Sequence, residues 1–169
     1  MKKVAIIYGS STGVTADIAD RIRGEMYEAA PTVIDVANVG SSAVFEEYDV
    51  LILGTSTWGS GDLQDDWQNK LSLLSNANLL GKTVAFFGIG DSSTFSDTFV
   101  DGMGTLYDTV KGKGVALVGS VATAGYSYDN SLAEVAGELV GVAIDEANEP
   151  DQTETRIKSW ISSYKNRIA

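Results

Sequence analysis

The stretch Val4-Ala5-Ile6-Ile7-Tyr8-Gly9-Ser10-Ser11-Thr12-Gly13-Val14-Thr15 decides how the rest of the chain is read. Its first five residues are a continuous apolar run, the pattern of a strand covered on both faces. The run stops at Gly9, passes through small hydroxyl residues and opens into a helical spacing, with Val14, Ile18, Ile22 and Met26 stepping by four and Ala19 beside them. A buried strand that becomes a helix through Gly, Ser and Thr aims backbone N–H groups, hydroxyls and the positive helix end at one point, and that point suits a phosphate. The loop Ser10 to Thr15 holds no Lys or Arg, so a bound dianion would rest on neutral donors alone. Hydrogen bonds to a charged group contribute roughly 1.5–3 kcal/mol each, so about four amides and about three hydroxyls offset its desolvation without a counter-ion.

Spacing separates this loop from other phosphate motifs. A nucleotide-triphosphate loop needs G-x-x-x-x-G-K-[ST], whereas Gly9 and Gly13 are three residues apart and Val14 stands where Lys would follow. The dinucleotide fingerprint G-x-G-x-x-G is missing as well. The plain alternative is a strand-loop-helix turn whose Ser and Thr residues cap a helix.

The 169 residues suffice for one domain with a proper core, expected to span 1–169, and the 44% hydrophobic, 21% charged composition is that of a globular protein. Cys and His are absent. That removes disulfides, thiolate catalysis, Cys-ligated clusters and the commonest general base, and it directs attention to an organic cofactor. The apolar run after Met1-Lys2-Lys3 is too short for a signal peptide and nothing reaches membrane-span length, so a cytoplasmic protein with no membrane contact is expected. The formal charge of −11 argues against nucleic acid as a partner. From Asp91 to Glu154 acidic residues accumulate (Asp91, Asp97, Asp101, Asp108, Asp129, Glu134, Glu138, Asp145, Glu146, Glu149, Asp151, Glu154) against Lys111 and Lys113. This half is either a docking surface for basic proteins or a solvated surface that maintains solubility.

Further apolar runs at Val33–Val36, Val50–Gly54, Val84–Gly88 and Val115–Val118 read as parallel strands. Helical stripes lie between and after them: Leu63, Trp67, Leu71 and Leu74; Phe99, Met103, Leu106, Tyr107 and Val110; Ile157, Trp160, Ile161, Tyr164 and Ile168. The alternation predicts an α/β doubly wound parallel sheet. Ala122 to Asn130, ahead of the apolar stretch Leu139 to Ile144, reads as an insertion that interrupts the last strand.

In such a sheet ligands bind beyond the carboxyl ends of the strands, where strand order reverses. The third loop is Thr55-Ser56-Thr57-Trp58-Gly59-Ser60-Gly61-Asp62, and the fourth runs from Gly88 through Gly90-Asp91 and Phe95 to Asp97. Each supplies one large flat side chain. A planar ring between Trp58 and Phe95, with a phosphate tail in Ser10 to Thr15, follows from the three loops together.

Nearly the whole chain resembles the flavodoxin family: S-S-T-G-V-T at Ser10–Thr15, T-W-G-S-G-D-L-Q-D-D-W at Thr57–Trp67, F-F-G-I-G-D at Phe86–Asp91, and D-E-A-N-E-P-D-Q-T-E-T-R-I-K-S-W near the end, with G-Y-S-Y-D-N similar to the insertion of long-chain flavodoxins. The resemblance implies a three-layer, five-stranded parallel sheet of order 2-1-3-4-5 and non-covalently bound FMN. It implies that Ser10, Ser11, Thr12, Gly13, Val14 and Thr15 hold the phosphate, with Ser10, Thr12 and Thr15 as hydroxyl donors, and that Trp58 and Phe95 stack on the two faces of the ring. Thr57, Ser60, Gly61, Gly90 and Asp97 would line the ring, Asp91 and neighbouring backbone would meet its pyrimidine edge, and the Gly59 carbonyl would turn toward N5. Phe95 replaces the usual Tyr. The implied function is low-potential one-electron transfer between semiquinone and hydroquinone, by a monomeric carrier rather than a turnover enzyme, with no catalytic residue and no metal. Its partners would be basic redox proteins such as an NADPH-dependent flavodoxin reductase and low-potential acceptors. An FMN-dependent NAD(P)H oxidoreductase would need an open flavin face, and a phospho-receiver domain would need acidic residues where Gly-Ser-Ser and Gly-Thr-Ser stand.

Overall fold

The computed structural model describes residues 1–169. Strand β1 (Val4–Gly9) lies between β2 (Thr32–Asp35) and β3 (Val50–Trp58); β3 pairs onward with β4 (Thr83–Ile89), and every one of these pairings is parallel. The outer position beside β4 is filled twice. β5 (Ala116–Leu117) pairs with its start at Thr83 and Val84, and β6 (Val142–Ile144) pairs with its end at Phe87, Gly88 and Ile89. The order is therefore 2-1-3-4-5, with the fifth strand split by residues 118–141 as expected.

Alternate residues of each strand enter opposite layers, because successive side chains of a strand point to opposite faces. Ala5, Ile7, Leu51, Leu53, Val84 and Phe86 pack with Phe45 of the short α2 (Ala43–Glu46), Trp67 and Leu74 of α3 (Asp65–Asn76) and Met103, Leu106 and Val110 of α4 (Asp101–Val110). Val4, Ile6, Val50, Ile52, Ala85 and Phe87 pack with Ile18, Ala19 and Ile22 of α1 (Val14–Glu25) and Ile157, Trp160 and Ile161 of α5 (Thr153–Tyr164). Burial of each such side chain is worth roughly 1.5–3 kcal/mol, which is what drives both helical layers onto the sheet.

Several element boundaries differ from the sequence pattern. β3 continues to Trp58 because Thr57 and Trp58 pair antiparallel with Leu63 and Asp62. Leu63 thus belongs to a hairpin rather than to the helical stripe of α3, and Phe99 likewise precedes α4; both are buried all the same. Val14, expected to lead the apolar stripe of α1, is exposed. Within the insertion, Glu134–Val135 and Glu138–Leu139 form a hairpin across Ala136 (φ +54°) and Gly137 (φ +83°), and Val121–Ala122 adds a third short strand. Two consecutive positive φ angles match the twist of the flanking strands, as in type I′ turns.

Candidate functional site

The carboxyl ends of β1, β3 and β4 lie side by side at one end of the sheet, at the point where the connections leaving β1 and β3 turn to opposite sides of it. At β1 the chain passes from Gly9 through Ser10, Ser11 and Thr12 to Gly13, whose φ of +92° turns it into α1. Gly13 caps the helix without a side-chain acceptor, so the first-turn amides after it have no partner of the kind a Ser or Asp cap supplies. The N–H groups of Ser11 and Thr12 pair with no backbone acceptor either. Gly13 N–H donates to Ser10 Oγ at 3.1 Å. That hydroxyl accepts from within, which leaves its own proton to point outward. Ser11, Thr12 and Gly13 are exposed, Ser10 is half-buried and Thr15 is buried at the base. The loop is a concave donor surface with no cation in it.

At β3 the hairpin Thr57–Leu63 raises Trp58 out of the sheet. The indole is 41% exposed, with Nε1 donating to Ser56 Oγ at 2.9 Å. The turn beyond it closes through Gly61 N–H to the Trp58 carbonyl at 3.2 Å, with Gly59 (φ +52°) and Gly61 (φ +100°) both in the left-handed half of backbone space and Ser60 exposed between them. Thr57, half-buried, precedes Trp58. Its Oγ1 accepts the Gly102 N–H at 2.9 Å and so fastens the hairpin to α4.

At β4 the chain runs through Gly90, whose N–H donates to the Ile144 carbonyl at 3.0 Å, into a loop organised by Asp91. Asp91 Oδ1 accepts from Ser93 N, Thr94 N and Asn148 Nδ2 at 3.1, 3.0 and 2.8 Å. The Thr94 amide first, then Asn148, hold this carboxyl below the usual range. Asp91 Oδ1 therefore organises the loop from within. Asp97 is exposed in the turn Ser96–Thr98. Phe95, its N–H bound to the Asp91 carbonyl at 3.0 Å, is 43% exposed. Trp58 and Phe95 are two of nine large apolar side chains left exposed, and they stand at the end of β3 and in the loop after β4.

Four residues that frame these loops were given no role at the site by the sequence, although Gln64, Asp145 and Asn148 lie in the motifs quoted above and Asp101 among the acidic residues. Asp145, fully buried at the end of β6, accepts from Ser92 N at 3.2 Å and from the Asn148 side chain, so it and Asn148 clamp the Phe95 loop to the split strand. Asp101, 6% exposed, accepts the Leu132 N–H of the insertion at 2.8 Å; burial pushes its carboxyl up while that bond works against the shift. Gln64, 1% exposed, reaches Ser11. Each depends on partners dozens of residues away, which no local spacing encodes.

A family model described as Flavodoxin matches residues 6–160. The chain is 41% identical to the flavodoxin of Synechocystis sp. over 167 residues, covering 98% of this chain and 97% of that protein, and 39% identical to Flavodoxin 1 of Azotobacter vinelandii, covering 96% and 95%. The chain belongs to the flavodoxin family. A crystal structure of Fusobacterium nucleatum flavodoxin, described as bound to flavin mononucleotide, superposes with a TM-score of 0.94 at 32% identity and 100% coverage of both chains. The flavodoxin fold accounts for the parallel order 2-1-3-4-5 and for three loops meeting at one end of the sheet. No helix is long and apolar enough to cross a membrane.

Proposed function

We propose that this chain is an electron carrier that binds FMN between Ser10–Thr15, Trp58 and Phe95. The observation that carries the reading is a pairing: an uncharged, uncapped donor loop follows β1, and two exposed aromatic side chains stand at the end of β3 and after β4, at the same end of the sheet. A phosphate fits the first and a flat conjugated ring fits the second. The group that combines them supplies reversible one-electron chemistry at its ring system.

The chain's own residues bind and tune. The hydroxyls of Ser10, Ser11 and Thr12, with the amides of Ser11, Thr12, Val14 and Thr15, hold the phosphate, and Gly13 makes the turn that gathers them. Trp58 and Phe95 exclude water from the two ring faces and keep the nicotinamide of a hydride donor from stacking there. Phe95 has no hydroxyl, so its part is packing alone. Gly59, Ser60 and Gly61 present backbone along the ring edge, and Gly59 in particular offers a peptide whose carbonyl can turn toward a protonated ring nitrogen. Gly90 and the backbone at Asp91 border the opposite edge, and Asp97 contributes charge from the rim. The carboxylates of Asp62, Asp91 and Asp97 at this end of the sheet oppose added negative charge and favour a low potential. The acidic surface from Asp91 to Glu154 supports docking of a basic partner such as an NADPH-dependent flavodoxin reductase.

An anaerobic reductive titration of the FMN-loaded protein tests this. The reading expects two separated one-electron steps, electron transfer to a one-electron acceptor protein, and no direct oxidation of NADPH. Fast reduction by NADPH without a reductase would instead mark a hydride-transfer enzyme.

A further inference from the structure

We propose that Gln64 is a positioning residue for the phosphate: its side-chain amide fixes the Ser11 hydroxyl as a donor toward the anion and ties the cradle to the hairpin that carries Trp58. This rests on the reading of Ser10–Thr15 as the FMN phosphate site. Gln64 directly follows the Asp62–Leu63 strand and caps α3, with Oε1 accepting the Trp67 N–H at 3.1 Å. Nε2 donates to Ser11 Oγ at 3.2 Å and to Asp66 Oδ2 at 2.8 Å.

These partners fix which way the amide faces. A flipped amide would set its NH2 against the Trp67 N–H and its oxygen against the Asp66 carboxylate, two repulsive pairings. Nor is there room for it to swing aside, since a Cβ placed on Gly9 would lie 2.2 Å from Gln64 Oε1; the amide is pressed against the end of β1. Both amide hydrogens are committed, one to Asp66 and one to Ser11.

The direction of the Ser11 hydroxyl follows. Its oxygen accepts from Gln64, so its one proton must go elsewhere, and Ser11 is exposed at the mouth of the cradle. A hydroxyl that already accepts a hydrogen bond is also a stronger donor. A phosphate dianion offers only acceptors. A hydroxyl polarised outward therefore favours a phosphorylated ligand over the same ring system without the phosphate. Ser10 is set the same way by the Gly13 N–H, but by backbone; Ser11 alone is set by a side chain, and that side chain belongs to the segment joining the Trp58 hairpin to α3.

The test compares FMN and riboflavin affinities of the apoprotein, by quenching of flavin fluorescence, in the native sequence, Ser11→Ala, Gln64→Glu and the double variant. Glu at 64 keeps an acceptor for the Trp67 N–H but donates nothing, so Ser11 would turn its proton inward. Ser11→Ala is expected to weaken FMN by about tenfold with riboflavin within about twofold. Gln64→Glu is expected to weaken FMN at least as much, and to cost far less when Ser11 is already Ala. An equal cost of Gln64→Glu with and without the Ser11 hydroxyl would overturn the inference, because the new carboxylate would then act by charge alone. Equal weakening of both flavins would overturn it too, because Gln64 would then be only a structural cap. If Gln64→Glu does not fold, titration of the 15N-labelled native apoprotein with inorganic phosphate decides. The Gln64 Nε2–H2 resonances should move in the native protein and stay fixed in Ser11→Ala, whereas resonances that stay fixed in both contradict the proposal. Failure of the native apoprotein to bind FMN at all would remove the functional reading itself, a different outcome from any of these.

Discussion

Replacing Gly61 with Ala probes how the turn beside Trp58 is held. Gly61 has φ +100°, a conformation that costs a residue with a Cβ roughly 1–2 kcal/mol. The added Cβ would also lie 2.6 Å from Asp101 Oδ2. Asp101 cannot move aside freely, because it is 6% exposed and its Oδ1 accepts the Leu132 N–H at 2.8 Å. Displacing it forfeits a hydrogen bond to a charged group, roughly 1.5–3 kcal/mol. Gly59→Ala is the internal control: φ is +52°, but its Cβ would meet only the outer end of exposed Asp62, at 3.3 Å. Gly61→Ala should therefore destabilise by about 3 kcal/mol and Gly59→Ala by about 1 kcal/mol. With a urea m value of about 2 kcal/mol/M, the midpoints should fall by about 1.5 M and about 0.5 M. In an Asp101→Ala background the Gly61→Ala cost should shrink to the backbone part. Equal midpoint shifts for the two glycine variants, or an unchanged Gly61→Ala cost without the Asp101 side chain, would refute the argument.

Trp58→Ala should weaken FMN by about 1–3 kcal/mol, the worth of one aromatic stack, with the urea midpoint of the apoprotein unchanged because the indole is already uncovered; flavin titration and unfolding checked side by side decide it. Burial raises the Asp101 carboxyl in the folded state, so the fold binds that proton more tightly than the unfolded chain, and the stability this confers fades as pH rises through the folded value. Asp101→Asn retains an acceptor for Leu132 and should match or exceed the native Tm at neutral pH, with the advantage vanishing near the ordinary carboxylate range of about pH 4; a difference curve flat in pH would exclude burial as the cause. Reduction by a reductase should slow steeply with added salt if the acidic half docks it, since exposed charges act over a Debye length of about 8 Å at physiological ionic strength; a salt-independent rate would leave that surface to solubility.

The frame of this fold was legible because buried parallel strands announce themselves as apolar runs, and Val4–Tyr8, Val50–Gly54 and Val84–Gly88 all lie in strands of the sheet. The split of the fifth strand was legible too, since Val115–Val118 and Leu139–Ile144 are apolar stretches while the residues between form no such run. Phe95 could be assigned to a loop because it sits among Gly, Ser, Thr and Asp; Trp58 sits in similar company but ends β3, held there by its pairing with Asp62. What failed was periodicity at element ends. Leu63 and Phe99 are spaced as helix residues but are buried by a hairpin and a loop, because burial repeats wherever chain returns to the core. The hairpin at Glu134–Leu139 was missed because two-residue strands carry no alternation. Gln64, Asp101, Asp145 and Asn148 were illegible for another reason: a polar side chain acquires its meaning from what tertiary structure sets against it. The hydrogen bonds of Thr57 to Gly102 and of Asp91 within its own loop were illegible for the same reason.

The account stands most directly on one comparison, titration of the native apoprotein with FMN and with riboflavin under identical conditions. A neutral donor cradle at Ser10–Thr15 that makes even two net hydrogen bonds to a phosphate contributes about 3 kcal/mol or more, which is at least about a hundredfold in affinity. FMN binding at least that much tighter than riboflavin is the predicted result; equal affinities would contradict the assignment of this loop as the phosphate site.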